Sequence, residues 1–221
     1  MWKYNKPTFE FSREIPLSYN VAPWGGHSYF AYDLVVNTRP KVIVELGTYK
    51  GNSLFAMAQA VKDFGLKTKL HAVDTWQGDR HAGFYGEDIY NTFSQVKESY
   101  YKDLNIIPHR TTFDKAQGEF KDKSIDILHI DGLHTYEAVK HDLDNWSPKV
   151  KSNGIVMFHD IAETGRDFGV YRLWEELEGV NTLAFPFYHG LGVVFLGNKL
   201  GDKPVDNACI DHYKQLADKL G

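Results

Sequence analysis

The stretch KVIVELGTYKGNS, residues 41–53, combines an apolar strand pattern with a glycine-containing turn. The strand pattern ends in the acidic Glu45, Gly47 and Gly51 follow, and Ser53 opens an apolar helix pattern. At such a strand–turn–helix junction backbone N–H groups converge, and glycines let a ligand approach the main chain. The stretch therefore predicts a nucleotide-like ligand at this turn, although two glycines also occur in ordinary β–α turns.

Strand and helix patterns alternate along the rest of the chain. Further strand patterns lie at 69–73, 104–109, 125–130 and 155–158, and two more at 181–188 and 193–197 follow each other without a helix. Alternating units predict a parallel sheet, and the final pair predicts an antiparallel hairpin at its edge. We therefore expect an α/β, Rossmann-like, doubly wound fold: a mostly parallel seven-stranded sheet with helices on both faces.

Charged and imidazole side chains follow the predicted strands one, two, four and five. They are Glu45, Asp74, Asp131, His134, His159 and Asp160. Ligands of open parallel sheets bind outside the carboxyl ends of the strands, so these groups should converge on one crevice. Any one of them can instead be a structural cap. Asp74 suits a carboxylate that accepts hydrogen bonds from the two hydroxyls of a ribose.

Composition limits the class of protein. The 221 residues include 43% hydrophobic and 24% charged residues, which is typical of a globular domain. We expect a single domain over residues 1–221, with an irregular lead-in at 1–26 and a core at 41–197. A net charge of −4 without a dense basic run argues against nucleic acid or an anionic membrane as partner. No apolar stretch approaches a bilayer span or a signal-peptide core, and the single Cys209 excludes an internal disulfide, so we expect a cytoplasmic protein. The oligomeric state stays open, a homo-oligomer included.

Five segments in series carry a family resemblance. They are VELGTYKGNS at 44–53, VDTWQGDRHAGFYG at 73–86, LHIDGLHTYEAVKHDLDNW at 128–146, GIVMFHD at 154–160 and GVYRLWEEL at 169–177. The chain resembles the class I S-adenosylmethionine-dependent methyltransferases from about residue 24 to residue 197. Within them it is similar to the catechol and macrocin-type small-molecule O-methyltransferases and to sugar methyltransferases found with polysaccharide glycosyltransferases. The resemblance implies S-adenosylmethionine as cofactor and methyl transfer to a small-molecule or glycan hydroxyl.

The resemblance also assigns residues to the cofactor. Those matching the motif around its methionine part, with their polar neighbours, are Glu45, Gly47, Thr48, Gly51 and Ser53. Asp74 matches the acid that binds the ribose, and Trp76 is placed to cover the adenine.

The acceptor side carries the catalytic expectations. Asp131 and Asp160 match the aspartates that hold a divalent cation in metal-dependent relatives, but His159 stands where those relatives have an oxygen ligand. Because Mg²⁺ prefers oxygen, the sequence leaves open Mg²⁺, a softer metal or no metal. His134 lies three residues after Asp131, where catechol-type relatives have a catalytic lysine, so we expect His134 to be the general base. The alternatives are that His134 only caps the following helix, or that His159 is the base.

The loop Gln77–Gly86 is interpreted either as a lid or as a plain surface loop. Trp24, Phe84 and Tyr85 are interpreted as aromatic side chains that stack on the acceptor.

Two rival functions remain: an NAD-type oxidoreductase on a similar sheet, and a non-catalytic cofactor-binding module. The close-spaced G-x-G-x-x-G of dinucleotide enzymes is missing between Gly47 and Gly51, which favours the methyltransferase.

Overall fold

A computed structural model of the chain describes residues 2–18, 22–177, 181–197 and 207–220. The strands are β1 (Val42–Leu46), β2 (Lys69–Asp74), β3 (Gly78–Asp79), β4 (Gly83–Phe84), β5 (Asn105–Arg110), β6 (Ile125–Ile130), β7 (Val150–His159), β8 (Thr182–Phe185) and β9 (Leu191–Phe195). The α-helices are α1 (Ser28–Thr38), α2 (Asn52–Asp63), α3 (Glu87–Tyr100), α4 (Phe113–Gln117), α5 (Tyr136–Trp146), α6 (Val170–Leu177) and α7 (Asn207–Ala217). Short 3-10 helices lie at Glu10–Arg13, Gly25–His27 and Ser147–Lys149.

The main sheet has seven strands in the order β5-β2-β1-β6-β7-β9-β8. Strands β5, β2, β1, β6 and β7 pair in parallel, whereas β9 is antiparallel to both β7 and β8. The predicted doubly wound fold with a terminal antiparallel hairpin is therefore confirmed. The strand order changes direction between β1 and β6, so their carboxyl ends border the crevice in which such sheets bind ligands.

Apolar residues of the strands alternate between two cores, one on each face of the sheet. Ile43 and Ile127 belong to the core that includes Phe30 and Phe55 from α1 and α2. Their neighbours Val44 and Leu128 pack into the other core, with Trp146 of α5 and Trp174 of α6. Burial on both faces explains why the central strands read as continuous apolar runs. No helix among the described residues has the length and apolarity of a bilayer-spanning segment.

The fifth strand pattern differs from its prediction. The predicted strand begins at residue 155, whereas β7 begins at Val150. The register between β6 and β7 shifts here, because Ile125 pairs with Val150 but Ile127 pairs with Ile155. Asn153 and Gly154 thus lie inside a longer strand beside an irregularity of its pairing, which is a common place for glycine.

The N-terminal lead-in and α7 meet on α1. The Trp2 indole N–H donates to the Tyr213 hydroxyl at 2.8 Å, and that hydroxyl donates to Asp33 Oδ2 at 2.6 Å. Asn5 donates to the same carboxylate from its side chain at 2.7 Å. The described part of the lead-in is thus tied to α1 and α7 through these hydrogen bonds.

Asp142 on α5 gives a test of this packing. It is buried, and burial raises the pKa of its carboxyl group to about 7, against about 3.9 in an unfolded chain. Because the folded-state pKa is the higher one, the contribution of Asp142 to the free energy of unfolding is greatest below about pH 4 and is lost as pH rises through about 7. We expect Asp142→Asn to remove this loss and to increase the free energy of unfolding at about pH 8 by roughly 4 kcal/mol. Urea unfolding should show a smaller gain at about pH 5; equal gains would contradict the explanation.

Candidate active site

Glycines at the end of β1 make room for the strand beside it. Gly47 has φ +85°, and a Cβ on it would lie 2.0 Å from the backbone oxygen of Asp131 at the end of β6. Gly51 has φ +92°, and a Cβ there would lie 2.6 Å from the ring of Phe55. Only glycine fits both the positive φ and the close approach, so the first-turn loop (residues 47–53) follows directly from this sequence pattern.

Asp74 holds the first-turn loop in place. Its Oδ2 accepts the backbone N–H groups of Thr48 at 2.9 Å and Tyr49 at 2.8 Å, and its Oδ1 accepts that of Trp76 at 2.7 Å. Tyr49 and Trp76 both have positive φ, at 51° and 53°. Because three N–H donors satisfy this carboxylate, it organises two turns at once. Its predicted contact with a ribose remains a prediction.

Trp76 does not lie where the sequence placed it. Trp76 is 1% exposed and packs against Tyr90 edge-on and against Phe93 in a tilted arrangement, both on α3, while its indole N–H donates to the Tyr49 carbonyl at 2.8 Å. It is absent from the lining of the cavity described below. The prediction that Trp76 covers an adenine is therefore corrected: the positive φ at this residue turns the indole into the core, where apolar burial is more favourable.

Glu45 is also behind the cavity wall. It is fully buried, its Oε2 accepts from His129 Nδ1 at 2.9 Å, and His129 Nε2 accepts from the Trp24 indole N–H at 3.2 Å. Burial raises the pKa of the Glu45 carboxyl group. Its Oε1 has no hydrogen-bond partner among the described residues. Glu45 thus faces His129, and its predicted place beside a cofactor remains a prediction.

Two carboxylates and two imidazoles meet at the ends of β6 and β7. This carboxylate–imidazole cluster consists of Asp131, His134, His159 and Asp160. His134 Nε2 lies 3.0 Å from Asp160 Oδ2 and 3.7 Å from Asp131 Oδ1. His159 Nδ1 lies 3.2 Å from Asp160 Oδ2 and 3.4 Å from Asp131 Oδ1, and its Nε2 is 3.1 Å from the Tyr188 carbonyl oxygen. The convergence of the fourth and fifth strand ends is as the sequence predicts.

Local backbone geometry directs two of these side chains. Asp160 follows β7 with φ +63°, in the left-handed region that aspartate tolerates better than most residues. Helix α5 is capped by Thr135, whose Oγ1 accepts the N–H of Ala138 at 3.3 Å. His134 is therefore not the helix cap, and its ring is free to face the two carboxylates.

The charged groups of the cluster shift one another's pKa values. Burial alone would lower the pKa of His134, but the neighbouring carboxylates of Asp131 and Asp160 outweigh it and raise that pKa to about 9. Burial likewise opposes the charged form of His159, whereas the negative charges of Asp160 and Asp131 raise its pKa well above the ordinary value. Burial would raise the pKa of both aspartates, but the positive charge of His159 lowers it. The cluster is thus a compensated set of opposite charges.

A cavity of about 640 Å³ joins the first-turn loop to the cluster. Its walls include Thr48, Asn52 and Ser53 on one side and the carboxylate–imidazole cluster on the other. Thr48 Oγ1 and Asn52 Oδ1 are buried and have no hydrogen-bond partner among the described residues. Both residues line the cavity, and a ligand that reaches these atoms would supply the hydrogen bonds that they lack.

The hairpin loop (residues 77–86) borders the same cavity. It contains the two-stranded sheet β3–β4, and Tyr85 lines the cavity together with Trp24. Phe84 does not: its side chain is 83% exposed on the outside of the hairpin, so its predicted stacking on the acceptor is corrected. Alternation of side chains along a short strand places Phe84 and Tyr85 on opposite faces.

Several cavity residues were not predicted from motifs. His81 on the hairpin loop lines the cavity, as do Glu163, Phe168 and His189 from the segments after β7 and before β9. His189 Nδ1 lies 2.8 Å from Glu163 Oε2. The only sequence signal was the presence of a histidine among the glycines and aromatics of residues 77–86.

Comparison with known sequences identifies the family. The model of a family described as a methyltransferase domain matches residues 44–161, which is more than half of the 221 residues. The protein y4gI of Sinorhizobium fredii is 43% identical over 180 residues, which cover 81% of this chain and 20% of that protein. The chain thus spans one fifth of the length of the curated relative it matches.

Solved structures share the fold. TomG from Streptomyces achromogenes, an O-methyltransferase of tomaymycin synthesis in complex with S-adenosylmethionine, superposes with a TM-score of 0.59 at 13% identity, covering 87% of this chain and 92% of that one. An O-methyltransferase from Bacillus cereus in complex with S-adenosylhomocysteine gives 0.54 at 15%, covering 83% and 86%. A methyltransferase from Geobacter sulfurreducens gives 0.58 at 16%, covering 77% and 78%. The chain therefore belongs to the methyltransferase domain family, as its sequence motifs predicted.

Proposed function

We propose that the chain is an S-adenosylmethionine-dependent O-methyltransferase that methylates a hydroxyl group of a sugar, a glycan or another small molecule. The observation that carries the proposal is that the first-turn loop and the carboxylate–imidazole cluster face each other across one cavity. A methyl donor bound at the loop and a hydroxyl bound at the cluster would then lie side by side, which is the arrangement that in-line transfer requires.

The cofactor side of the cavity fits a polar ligand that needs backbone contacts. Gly47, Thr48, Asn52 and Ser53 line it, and the Thr48 Oγ1 and Asn52 Oδ1 atoms have no hydrogen-bond partner among the described residues. S-adenosylmethionine would supply the methyl group from its sulfonium centre. Two of the solved structures with this fold hold S-adenosylmethionine or S-adenosylhomocysteine, which supports the same assignment here.

The charge of the cavity supports a neutral acceptor. Six carboxylates of the described residues line it, against four cationic side chains, so negative charge remains in excess: the cations are Lys50, Arg166 and the His134 and His159 rings, whose raised pKa values favour their charged forms. The carboxylates are Glu14, Asp74, Asp79, Asp131, Asp160 and Glu163. Such a surface repels phosphate or carboxylate groups, whereas hydroxyl groups can donate to the carboxylates. Tyr85 and Phe168 add aromatic faces, so a polyhydroxylated sugar is the acceptor that we favour.

A divalent cation also fits the cluster. The candidate ligand atoms of Asp131, His134 and Asp160 lie within 4.8 Å of one another, and His159 Nδ1 approaches the same carboxylates. A donor set with imidazole nitrogen suits Mn²⁺, Co²⁺ or Zn²⁺ better than Mg²⁺. A cation held there would stabilise negative charge on the acceptor oxygen.

The histidines supply the acid–base step in this proposal. Asp131 and Asp160 orient His134 at the cavity wall and raise its pKa. In its neutral form the ring would accept the hydroxyl proton at Nε2, so the roles of base and of cation ligand are alternatives for His134. The side chain of His134 is 15% exposed and that of His159 is 6%, which makes His134 our first choice as base and His159 the second.

Asp74→Ala tests the cofactor side. We expect S-adenosylmethionine affinity to fall by about 10-fold or more, because the change frees three backbone N–H groups that shape both turns and removes an acceptor for the ribose. Isothermal titration calorimetry measures the effect, with Asp103→Ala, an exposed aspartate before β5, as control. Unchanged affinity in Asp74→Ala would remove this residue from the cofactor site.

The function itself is tested in two steps. Calorimetry with S-adenosylmethionine and with NAD decides the cofactor; binding of NAD alone would support an oxidoreductase instead. Transfer of a labelled methyl group to a panel of sugars, oligosaccharides and phenols then decides the chemistry. Cofactor binding without transfer to any member of the panel would favour a non-catalytic binding module.

A further inference from the structure

His81 is the one side chain at the tip of the hairpin loop that turns inward. Arg80, Ala82, Gly83 and Phe84 around it are exposed, whereas the His81 side chain is 3% exposed. Burying an imidazole from an exposed loop has a desolvation cost, so specific partners must compensate for it. Those partners lie on the catalytic side of the cavity.

The His81 ring belongs to a stack with His134 and Phe168. The His134 and Phe168 rings are 4.7 Å apart and inclined by 1°, and the His81 and Phe168 rings are 4.6 Å apart and inclined by 14°. The two imidazoles are themselves near-parallel, with centroids 5.4 Å apart. This packing restricts rotation of the His134 ring about its own axis.

Hydrogen bonds extend from the surface through this stack to the cluster. Asp167 Oδ1 lies 2.6 Å from His81 Nε2, His81 Nδ1 lies 3.3 Å from His134 Nδ1, and His134 Nε2 faces Asp160 Oδ2. A carboxylate only accepts, so His81 Nε2 carries the hydrogen there. In a singly protonated His81 ring Nδ1 is then the acceptor, which makes His134 Nδ1 the donor.

We propose that His81, itself held by Asp167, is a positioning residue that keeps the Nε2 atom of His134 directed at Asp131 and Asp160. The inference deepens the proposed function, on which it rests. A histidine that works as base or metal ligand through one nitrogen needs its other nitrogen to donate a fixed hydrogen bond, because that bond selects the tautomer and the ring orientation. Here the hairpin loop provides the acceptor.

Neighbouring side chains fix the orientation of the Asp167 carboxylate. Arg80 Nη2 lies 2.7 Å from Asp167 Oδ2, leaving Oδ1 for His81. Arg166 donates to the His81 carbonyl oxygen at 3.3 Å and lies over the Phe168 ring. These contacts join the hairpin loop to the segment before α6, so the position of the loop and the orientation of His134 are linked.

Asp167→Asn is the sharpest test, because it changes hydrogen-bond direction and almost no volume. Arg80 needs an acceptor and retains the amide oxygen, so the amide N–H₂ faces His81 Nε2. His81 must then accept at Nε2 and carry its hydrogen on Nδ1, which confronts the donor on His134. We expect kcat to fall about 10- to 100-fold with the KM for S-adenosylmethionine unchanged.

Two further variants separate hydrogen bonding from packing. His81→Phe keeps the ring stack but removes both nitrogens, and we expect a loss of kcat like that of Asp167→Asn. Asp167→Glu keeps a carboxylate and should retain more activity than Asp167→Asn. Asp144→Asn, an exposed aspartate paired with Lys140 on α5, is the matched control and should behave like the wild type.

A readout independent of turnover completes the test. Long-range ¹⁵N–¹H NMR of the histidine rings reports which nitrogen of His81 carries hydrogen, and we expect Nε2–H in the wild type and Nδ1–H in Asp167→Asn. An Nδ1–H wild-type ring, an unchanged tautomer in Asp167→Asn, or wild-type kcat in His81→Phe would overturn the proposal. If the wild type transfers no methyl group, the proposed function fails, and the NMR result still decides whether this chain of hydrogen bonds exists.

Discussion

A Gly47→Ala variant is expected to lose S-adenosylmethionine binding. Its Cβ would lie 2.0 Å from the backbone oxygen of Asp131, and alanine would also have to adopt φ +85°. Gly47 and Asp131 both directly follow strands of the sheet, so moving the backbone at either residue would disturb the strand before it. Conformational strain alone costs about 1–3 kcal/mol, and the clash adds to it, so we expect affinity to fall by about 100-fold or more.

Gly65→Ala is the matched control for this experiment. Gly65 also has a positive φ, of 58°, but a Cβ there would meet no atom within 4 Å. Its replacement therefore introduces the conformational strain without the clash, after α2 and away from the cavity. Calorimetry on both variants, with circular dichroism to verify folding, separates the two effects. Wild-type affinity in Gly47→Ala would show that the loop can shift and would refute the close approach as the reason for glycine.

His134→Ala is expected to reduce the rate of methyl transfer rather than cofactor affinity. A positioned general base contributes about 10²- to 10⁴-fold, so we expect kcat to fall by at least about 100-fold. The Kd of S-adenosylmethionine should stay within about 2-fold, because the first-turn loop, not the cluster, provides the cofactor contacts in our proposal.

The control for His134→Ala is His141→Ala. His141 lies on the surface of α5 and pairs with Asp114 at 2.8 Å, so its removal should change neither quantity. Single-turnover measurements with saturating cofactor give the rate of the chemical step directly. An unaffected rate in His134→Ala would transfer the role of base to His159 or to a group held by the two aspartates.

The sequence predicted most of the scaffold, because the patterns it used are local. Alternation of apolar runs and amphipathic helices located every strand of the main sheet, and β6 matches its predicted range of 125–130. The glycines at 47 and 51 marked the turn at which the chain approaches its neighbours. Strand ends in a parallel sheet meet at one edge, so Asp131 and Asp160 could be placed together from order alone.

Side-chain direction was predicted less well. Trp76 and Phe84 stand in the motif that should contact the ligand, yet one is buried in the core and the other is 83% exposed. Their orientation depends on φ at Trp76 and on the pairing of β3 with β4, and neither leaves a pattern in composition or spacing. The contacts of His81 could not be predicted either, because its partners His134 and Asp167 lie far away in sequence.

The sequence by itself determined the methyltransferase fold, the position of the first-turn loop and the set of strand ends that line the cavity, since periodicity and glycine placement act through near neighbours in the chain. Only the tertiary structure decided what each polar group faces. It assigned Asp74 to the backbone of two turns, paired Glu45 with His129, and set His134 between two carboxylates and the hairpin loop. The physical reason is that hydrogen bonds and charge effects depend on distances of a few ångströms between segments remote in the chain, which only packing of the whole sheet establishes.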